Sequence, residues 1–498
     1  MKGIAICVLC LTFLGQLKAE DIEEYMKLRT KLIEMDSQLT VGIKQRLTHK
    51  EELVNDQLMF HKNVDISRVP FYKHYFQYQG IMRRSRVYQM IRLMPKGAAL
   101  HVHGSLMLDP EDLLKLTYED YLYMCSSLTH LRFHFSLTTP KDPCPVAWKL
   151  VEDLRMKHKK VSEFDSKLKE RLTLGPEDGL NLESDENEAW EQFGKTIAAI
   201  LSLIEYRPVR EKYIYKSLQN LYDDNVMYVE IRLNLHPLYE LNGTFHDRMY
   251  MASLHNNVAK RFMEANPDFA GLKIILSPSR KLSAEDIQYE LDEARAVKLT
   301  LPDVIAGFDL VGHEDRGRTL KEFVPALLQE KKGIDYYFHA GETNQHGTPT
   351  DENLFDAILL GTKRIGHATS LIKHPVLIKS VHRRDIAVEV NVISNSVLSL
   401  VKDVRSHPLV TYLSQGLPVV LSSDDPGVWG ARPLTDDFYV AFAAITNRRH
   451  DLRVLKQLAI NSIRYSALDD KGKTKLFRTF AKRWLEFLTA VIQEYDMV

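Results

Sequence analysis

Residues 98–103, Ala98-Ala99-Leu100-His101-Val102-His103, end an apolar run with two imidazoles one residue apart. Side chains alternate across a β-strand, so in a strand His101 and His103 point to the same side. The same ending recurs downstream. Tyr336 to Ala340 carries His339 and leads into Gly341-Glu342, Arg364 to Ala368 carries His367, and Pro418 to Ser422 leads into Ser423-Asp424-Asp425-Pro426. Four more apolar runs lie between these: Met227 to Leu233, Leu272 to Leu276, Val304 to Val311 and Ile386 to Ile393. Eight strand candidates, mostly followed by helix-like or loop segments, predict an α/β chain folded as a (β/α)8 TIM barrel. Asp425-Pro426-Gly427 closes the last run, since Pro and Gly end strands for steric reasons. The polar residues sit at the C-terminal ends of their runs, where barrel enzymes place their chemistry, and that coincidence decides the fold.

An isolated His-x-His means little in a chain with 19 histidines. The joint pattern means more: His101, His103, His339 and Asp424 would give three nitrogens and an oxygen to one divalent ion, a shell that suits zinc when one position is left for water. Such an ion lowers the pKa of its water toward about 7 and provides a hydroxide nucleophile. Glu342, on the loop leaving its strand, is placed as a proton shuttle. His367 is placed to orient the hydroxide or stabilise an alkoxide, and Asp425 to accept a hydrogen bond from the substrate. Singly, these three read equally as a solvated loop carboxylate, a core imidazole and a turn cap.

Residues 1–19 read as a secretory signal: Lys2 supplies the positive start, Ile4 to Leu17 an apolar stretch too short to span a bilayer, and Ala19 a cleavage point before Glu20. The mature chain is expected outside the cell, and no later segment has the apolar run of a membrane helix. Cys7 and Cys10 leave with the signal, so Cys125 and Cys144 have one obvious partner each; a bridge would contribute about 3 kcal/mol by loop entropy. The other reading is two unpaired thiols. Asn242-Gly243-Thr244 is a glycosylation acceptor. Lys plus Arg equals Asp plus Glu at 66 each, so no global field steers the chain to nucleic acid or anionic lipid. The basic run Lys157 to Lys160 reads first as a solvated helix face, with a polyanion such as a glycosaminoglycan as the alternative.

Residues 20–95 form an N-terminal helical region. Between Asp21 and Leu39 the positions Ile22, Tyr25, Leu28, Leu32, Met35 and Leu39 make a helical seam, which either packs on its own body or docks a second copy. Residues 96–498 form the catalytic barrel. The polar stretch Glu111 to Asn187 exceeds the roughly two to six residues usual for a βα loop, and predicts an inserted subdomain at 115–171 stapled by Cys125 and Cys144. Leu452 to Val498 is expected to be helical, burying Leu455, Leu458, Ile463, Leu476, Phe480, Trp484, Phe487 and Val491.

This set of residues resembles the adenosine deaminase branch of the metal-dependent amidohydrolases. The N-terminal helix, the insertion, the signal and the segment Ala306-Gly307-Phe308-Asp309-Leu310-Val311-Gly312-His313-Glu314 are similar to the secreted adenosine deaminase-related growth factors, from about Glu20 to the C-terminus. The resemblance implies one zinc per subunit on His101, His103, His339 and Asp424. It implies that Glu342 protonates the purine at N1, His367 holds the attacking hydroxide, Gly312 offers a backbone contact, Asp425 accepts at N7, and Trp190 lies near the nucleoside. Hydroxide would add at C6 of adenosine or 2′-deoxyadenosine, releasing ammonia and leaving inosine from adenosine. It further implies a homodimer through the N-terminal helices and, in some members, growth-factor activity with a cell-surface receptor.

Three positions depart from the family pattern. Gly104 stands for an Asp expected to bond the ribose, a loss of about 1–3 kcal/mol. Ala368 replaces a Gly, and Val390 to Asn395 lacks a Cys-Pro pair before Ser394-Asn395. Gly104 favours a rival reading, a secreted growth factor or nucleoside- or receptor-binding protein with weak or no turnover; the intact shell argues against it. A nucleotide substrate would want clustered cations for phosphate, and Arg316 is the only candidate near Gly312.

Overall fold

In the computed structural model, which describes residues 21–175, 182, 185–330 and 333–496, every one of the eight runs contains a strand. They are β1 (Gly97–His103), β2 (Val226–Leu233), β3 (Leu272–Leu276), β4 (Ile305–Phe308), β5 (His339–Ala340), β6 (Arg364–His367), β7 (Ala387–Val390) and β8 (Val419–Leu421). All neighbours pair in parallel and in sequence order, as the four-stranded sheets β1-β2-β3-β4 and β5-β6-β7-β8. Isolated parallel bridges cross both seams, Phe308 to Tyr336 and Val102 to Asp424, so the strands follow one another in a ring, as in a (β/α)8 barrel. Strands covered on both faces need apolar residues throughout, and all eight positions of β2 are buried.

Two runs were read too long. The strand begun in Val304–Val311 ends at Phe308, and that in Ile386–Ile393 ends at Val390. At Asn391 the backbone leaves the extended region, and Val392–Val397 turns into a short buried helix that brings Ser394 and Asn395 over the strand ends.

The helix Ile22–Ser37 is capped by Asp21, which accepts from Glu24 N at 2.8 Å, and it buries none of its residues. Along its seam Ile22, Tyr25, Leu32 and Leu39 are exposed, Ile22 by 83 %, while Leu28 and Met35 are half-buried. The next helix, His49–Arg68, starts with a Thr48/Glu51 capping box and buries Val54, Leu58 and Lys62. The Lys62 ammonium donates to Thr446 Oγ1 and to the carbonyls of Asn447 and His450 at 2.8–3.0 Å, tying this region to the far end of the chain.

After β1, the helix Pro110–Leu116 leads to an antiparallel sheet of Leu122–Ser126, Leu131–Phe135 and Lys149–Leu150, followed by helices Val151–Lys157 and Val161–Glu170. Cys125 on this sheet meets Cys144, with Cα atoms 6.4 Å apart. Lys157 to Lys160 is not one helix face: Lys157 ends the first of those helices, His158 to Lys160 link it to the second, and Lys160 Nζ lies 2.9 Å from Glu163. Asn242 lies exposed in a turn between Leu238–Tyr239 and Phe245–His246. The C-terminal stretch buries all eight expected positions but as two helices, Leu452–Arg464 and Asp470–Asp496. The break serves the ring, because Tyr465 O accepts from Arg364 Nη1 at 2.9 Å and Ala467 N donates to Glu230 Oε1 at 2.6 Å. Among the described residues no helix is long and apolar enough to cross a membrane, and the proposed signal at 1–19 lies outside them.

Candidate metal and active site

Alternation along β1 brings both of its histidines to the upper mouth of the ring, with His101 fully buried and His103 one-fifth exposed. His101 Nε2 faces His339 Nε2 at 3.0 Å. Behind the pair, His101 Nδ1 lies 2.8 Å from Glu389 Oε2 and His339 Nδ1 2.6 Å from Asp309 Oδ2. A carboxylate on each Nδ1 holds the proton there and turns both Nε2 lone pairs toward each other, an arrangement that repels unless a cation lies between. Burial, opposed by Asp309, pulls His339 down to about 3, so it is neutral as a ligand must be. Asp424 Oδ1 lies 3.0 Å from His103 Nε2 and 3.4 Å from His101 Nε2, yet no hydrogen bond is aligned on it. These donors fit a divalent ion of the zinc kind.

Three of the four expected ligands, His101, His339 and Asp424, share one cluster of donor atoms, and the fourth, His103, does not join it. His101, His339, His367 and Asp424 place donor atoms within 4.8 Å of one another, whereas His103 clusters with Asp424 and Asp425. His103 and His367 thus stand on two sides of Asp424, whose Oδ2 accepts from Ser394 Oγ at 2.7 Å and is 3.7 Å from His367 Nε2. Asp424, His367 and Ala368 all carry positive φ, 58°, 60° and 51°, conformations that cost non-glycine residues on the order of 1–3 kcal/mol and gather at functional sites. For Asp424 the ring holds the strain, through Asp424 N to His101 O (3.0 Å) and His103 N to Asp424 O (2.9 Å).

Glu342 is buried, not solvated. Gly341, at φ 76°, makes the turn that carries it inward; a Cβ there would lie 2.9 Å from both Leu354 Cγ and Ser370 Oγ. Glu314 moulds the same turn, accepting from Gly341 N (3.1 Å), Glu342 N (2.6 Å) and Asn353 Nδ2 (2.7 Å). Burial, then the negative charge of Asp424 and Glu314, pushes the Glu342 carboxyl well above the usual carboxylate range, which favours its protonated form. Its Oε1 has no hydrogen bond and lies 3.4 Å from His367 Nδ1. Burial holds His367 well below the imidazole range and lifts Asp425 well above the carboxylate range, the latter with help from Asp424. His367 is framed by the Asn391 and Asn395 side-chain amides at 3.3 and 3.1 Å.

These groups open on a cavity of about 180 Å³ lined by His103, Trp190, Phe193, Gly312, Glu342 and Asp425 among others. Trp190 lies flat on His313, ring centroids 4.9 Å apart. Gly312, at φ 106°, has open space on its Cβ side. A larger cleft of about 700 Å³, lined by Arg132, Arg171 and Lys195, borders the same helix Glu186–Ile204 but contains none of the reactive groups. Arg232 is the one Arg or Lys among the described residues lining the smaller cavity, and Asp309 (3.0 Å) and Glu389 (2.6 Å) hold it. Arg316 is engaged with Asn187 at 2.8 Å.

The sequence reading missed the supports: Asp309, Glu389, Arg232, Arg364, Glu230, Glu314 and Asn391. The signal was present, because a charge inside an otherwise apolar parallel strand is buried and must be paired.

A family model described as Adenosine deaminase matches residues 171–483, and one described as Adenosine/AMP deaminase N-terminal matches residues 4–91. The chain belongs to the adenosine deaminase family of enzymes. Adenosine deaminase 2 of Homo sapiens is 38% identical over 98% of each chain, and an adenosine deaminase of Lutzomyia longipalpis is 38% identical over 94% of this chain and 93% of its own. Matches that span the N-terminal and catalytic segments together put the chain in the adenosine deaminase-related growth factor branch of that family. A zinc-bound amidohydrolase of Burkhoderia ambifaria shares the fold at 17% identity, with TM-score 0.54 over 82% of this chain and 95% of its own.

Proposed function

We propose that this chain is a secreted, zinc-dependent adenosine deaminase that hydrolyses adenosine, and 2′-deoxyadenosine, to the inosine nucleoside and ammonia. The observation that carries the reading is the pair of facing imidazole nitrogens, 3.0 Å apart and each backed by a carboxylate, beside the buried Glu342 in one cavity. His101, His103, His339 and Asp424 would hold the ion, which when bound supplies the Lewis acidity that makes water a nucleophile at neutral pH. Glu342 gives its proton to N1 of the purine, which makes C6 electrophilic enough to be attacked. His367, neutral, orients the attacking water and takes up its proton. N7 is a lone-pair acceptor, so Asp425 would meet it as a donor rather than accept as expected from sequence; burial and the charge of Asp424, which lift its carboxyl well above the carboxylate range, favour the protonated form this needs. Gly312 offers its backbone to the ring and Trp190 walls the nucleoside.

Around this centre, residues 1–19 act as the export signal, Cys125 and Cys144 form a disulfide in the 115–171 insertion, Asn242 carries glycan, and the exposed face of Ile22–Ser37 pairs with a second copy. Residues 20–95 and 96–498 are the dimerisation and barrel units.

The rival reading, a growth factor or nucleoside- or receptor-binding protein with little turnover, has Gly104 in its favour. A Cβ at that position would lie 2.8 Å from Ile231 Cδ1, so the end of an apolar side chain stands where a side chain at 104 would begin. The test follows the ultraviolet change from adenosine to inosine with wild type and His339→Ala. Wild type turns over and the variant does not; equal activity, or equal silence, rules out the deaminase reading.

A further inference from the structure

After Glu342 the chain runs to Glu352 as a loop folded against the residues that follow β6. Lys373 Nζ donates to Asn344 O (2.6 Å) and Gln345 O (2.9 Å), and Gly347, at φ 71°, turns the loop so that its N–H donates to Asp351 Oδ2 at 2.7 Å. This folding gathers three metal-binding side chains outside the cavity. His374 Nε2 lies 3.0 Å from both oxygens of the buried Asp351. The exposed His346 sets its ring edge-on to His374 with centroids 5.2 Å apart. One donor atom from each of the three lies within 4.8 Å of the others.

We propose that His346, Asp351 and His374 form a second metal site, for a divalent transition ion of the zinc class, that clamps the loop carrying Glu342 to the segment following His367. Two imidazoles and one carboxylate are a borderline donor set; calcium and magnesium take oxygen ligands instead. Tetrahedral zinc at about 2.0–2.1 Å from its ligands sets the donors about 3.3 Å apart, close to the 3.0 Å between His374 and Asp351. An Asp351–His374 hydrogen bond accounts for His374 but not for His346, which among the described residues makes no hydrogen bond of its own and is exposed enough to swing in by a rotamer change. The ion would link the exits of β5 and β6, the two strands that supply Glu342 and His367, without touching the cavity.

The test adds zinc alone to tag-free full-length protein and counts tightly held ions per chain by elemental analysis and titration calorimetry. Wild type holds one ion more than His346→Ala or His374→Ala, and zinc raises its melting temperature while leaving that of His346→Ala unchanged. Deaminase activity without added zinc is the same in His346→Ala and wild type. The proposal is overturned if wild type and His346→Ala hold the same number of ions. Should His374→Ala fail to fold, His346→Ala decides alone, since its ring is exposed. The count is a difference between variants, so it stands apart from the deaminase reading, which rests on His339.

Discussion

The mouth of the strand ring and its interior treat buried charge in opposite ways. In the interior Glu389 meets Arg364 (2.5 Å), Arg232 (2.6 Å) and His101 (2.8 Å), and Glu230 meets Arg364 (2.6 Å): each charge there is paired. At the mouth Asp424 Oδ1, Glu342 Oε1 and Asp425 Oδ1 are just as buried and, among the described residues, have no aligned hydrogen bond, although His103 Nε2 lies 3.0 Å from Asp424 Oδ1. Folding favours the first arrangement and penalises the second, because an unpaired buried polar atom forfeits its solvation. The difference separates groups that shape the protein from groups kept for something that binds it.

That contrast can be broken from either side. Glu342→Gln removes the proton donor and is expected to cut kcat/KM for adenosine by about 10²–10⁴-fold, read by the same ultraviolet assay. It should also stabilise. The folded pKa lies above the ordinary 4.5, so between the two values the unfolded chain has lost a proton that the folded chain keeps, and stability falls as pH rises through that window. The melting temperature of Glu342→Gln should therefore exceed that of wild type at about pH 8 and converge with it near pH 4. A stable, inactive variant sharpens the distinction; a destabilised one refutes it.

Arg364→Met attacks the interior. It leaves Glu230 and Glu389 uncompensated and should cost about 3–5 kcal/mol in chemical denaturation. A loss under about 1 kcal/mol would mean that the network is not what supports the site. At the mouth, a Cβ at Gly104 would lie 2.8 Å from Ile231 Cδ1, so the end of that side chain must shift to admit an Asp. Gly104→Asp with Ile231→Ala should lower KM for adenosine by roughly 5- to 150-fold relative to Ile231→Ala, the worth of about 1–3 kcal/mol. No change would show that residue 104 does not face the sugar. The smallest effect is expected of Ala368→Gly. With φ at 51° the alanine is strained, and relief should raise stability by no more than about 1 kcal/mol without altering turnover.

The strands and their order were legible because each reads as an apolar run ending in a chemically distinctive residue, and a parallel strand buried on both faces has no other way to look. Runs were overextended at Val304–Val311 and Ile386–Ile393, because an apolar residue fits a buried loop or helix as well as a strand. Asp309 and Glu389 escaped notice although both stand inside those same runs. Hydrogen bonds to His339 and His101 are pairings of distant residues, and nothing local in the chain encodes them.

The sequence by itself determined which side chains exist to bind an ion and move a proton, and the spacing that sends His101 and His103 to one face, since both follow from residue type and strand alternation. Only the tertiary structure decided that Glu342 is buried rather than solvated, that His367 shares one cluster of donor atoms with His101, His339 and Asp424, that Ile231 fills the space beside Gly104, and that His346 meets His374. Each of these depends on desolvation or on contact between segments far apart in the chain, and burial is a property of the packed molecule and not of any residue in it.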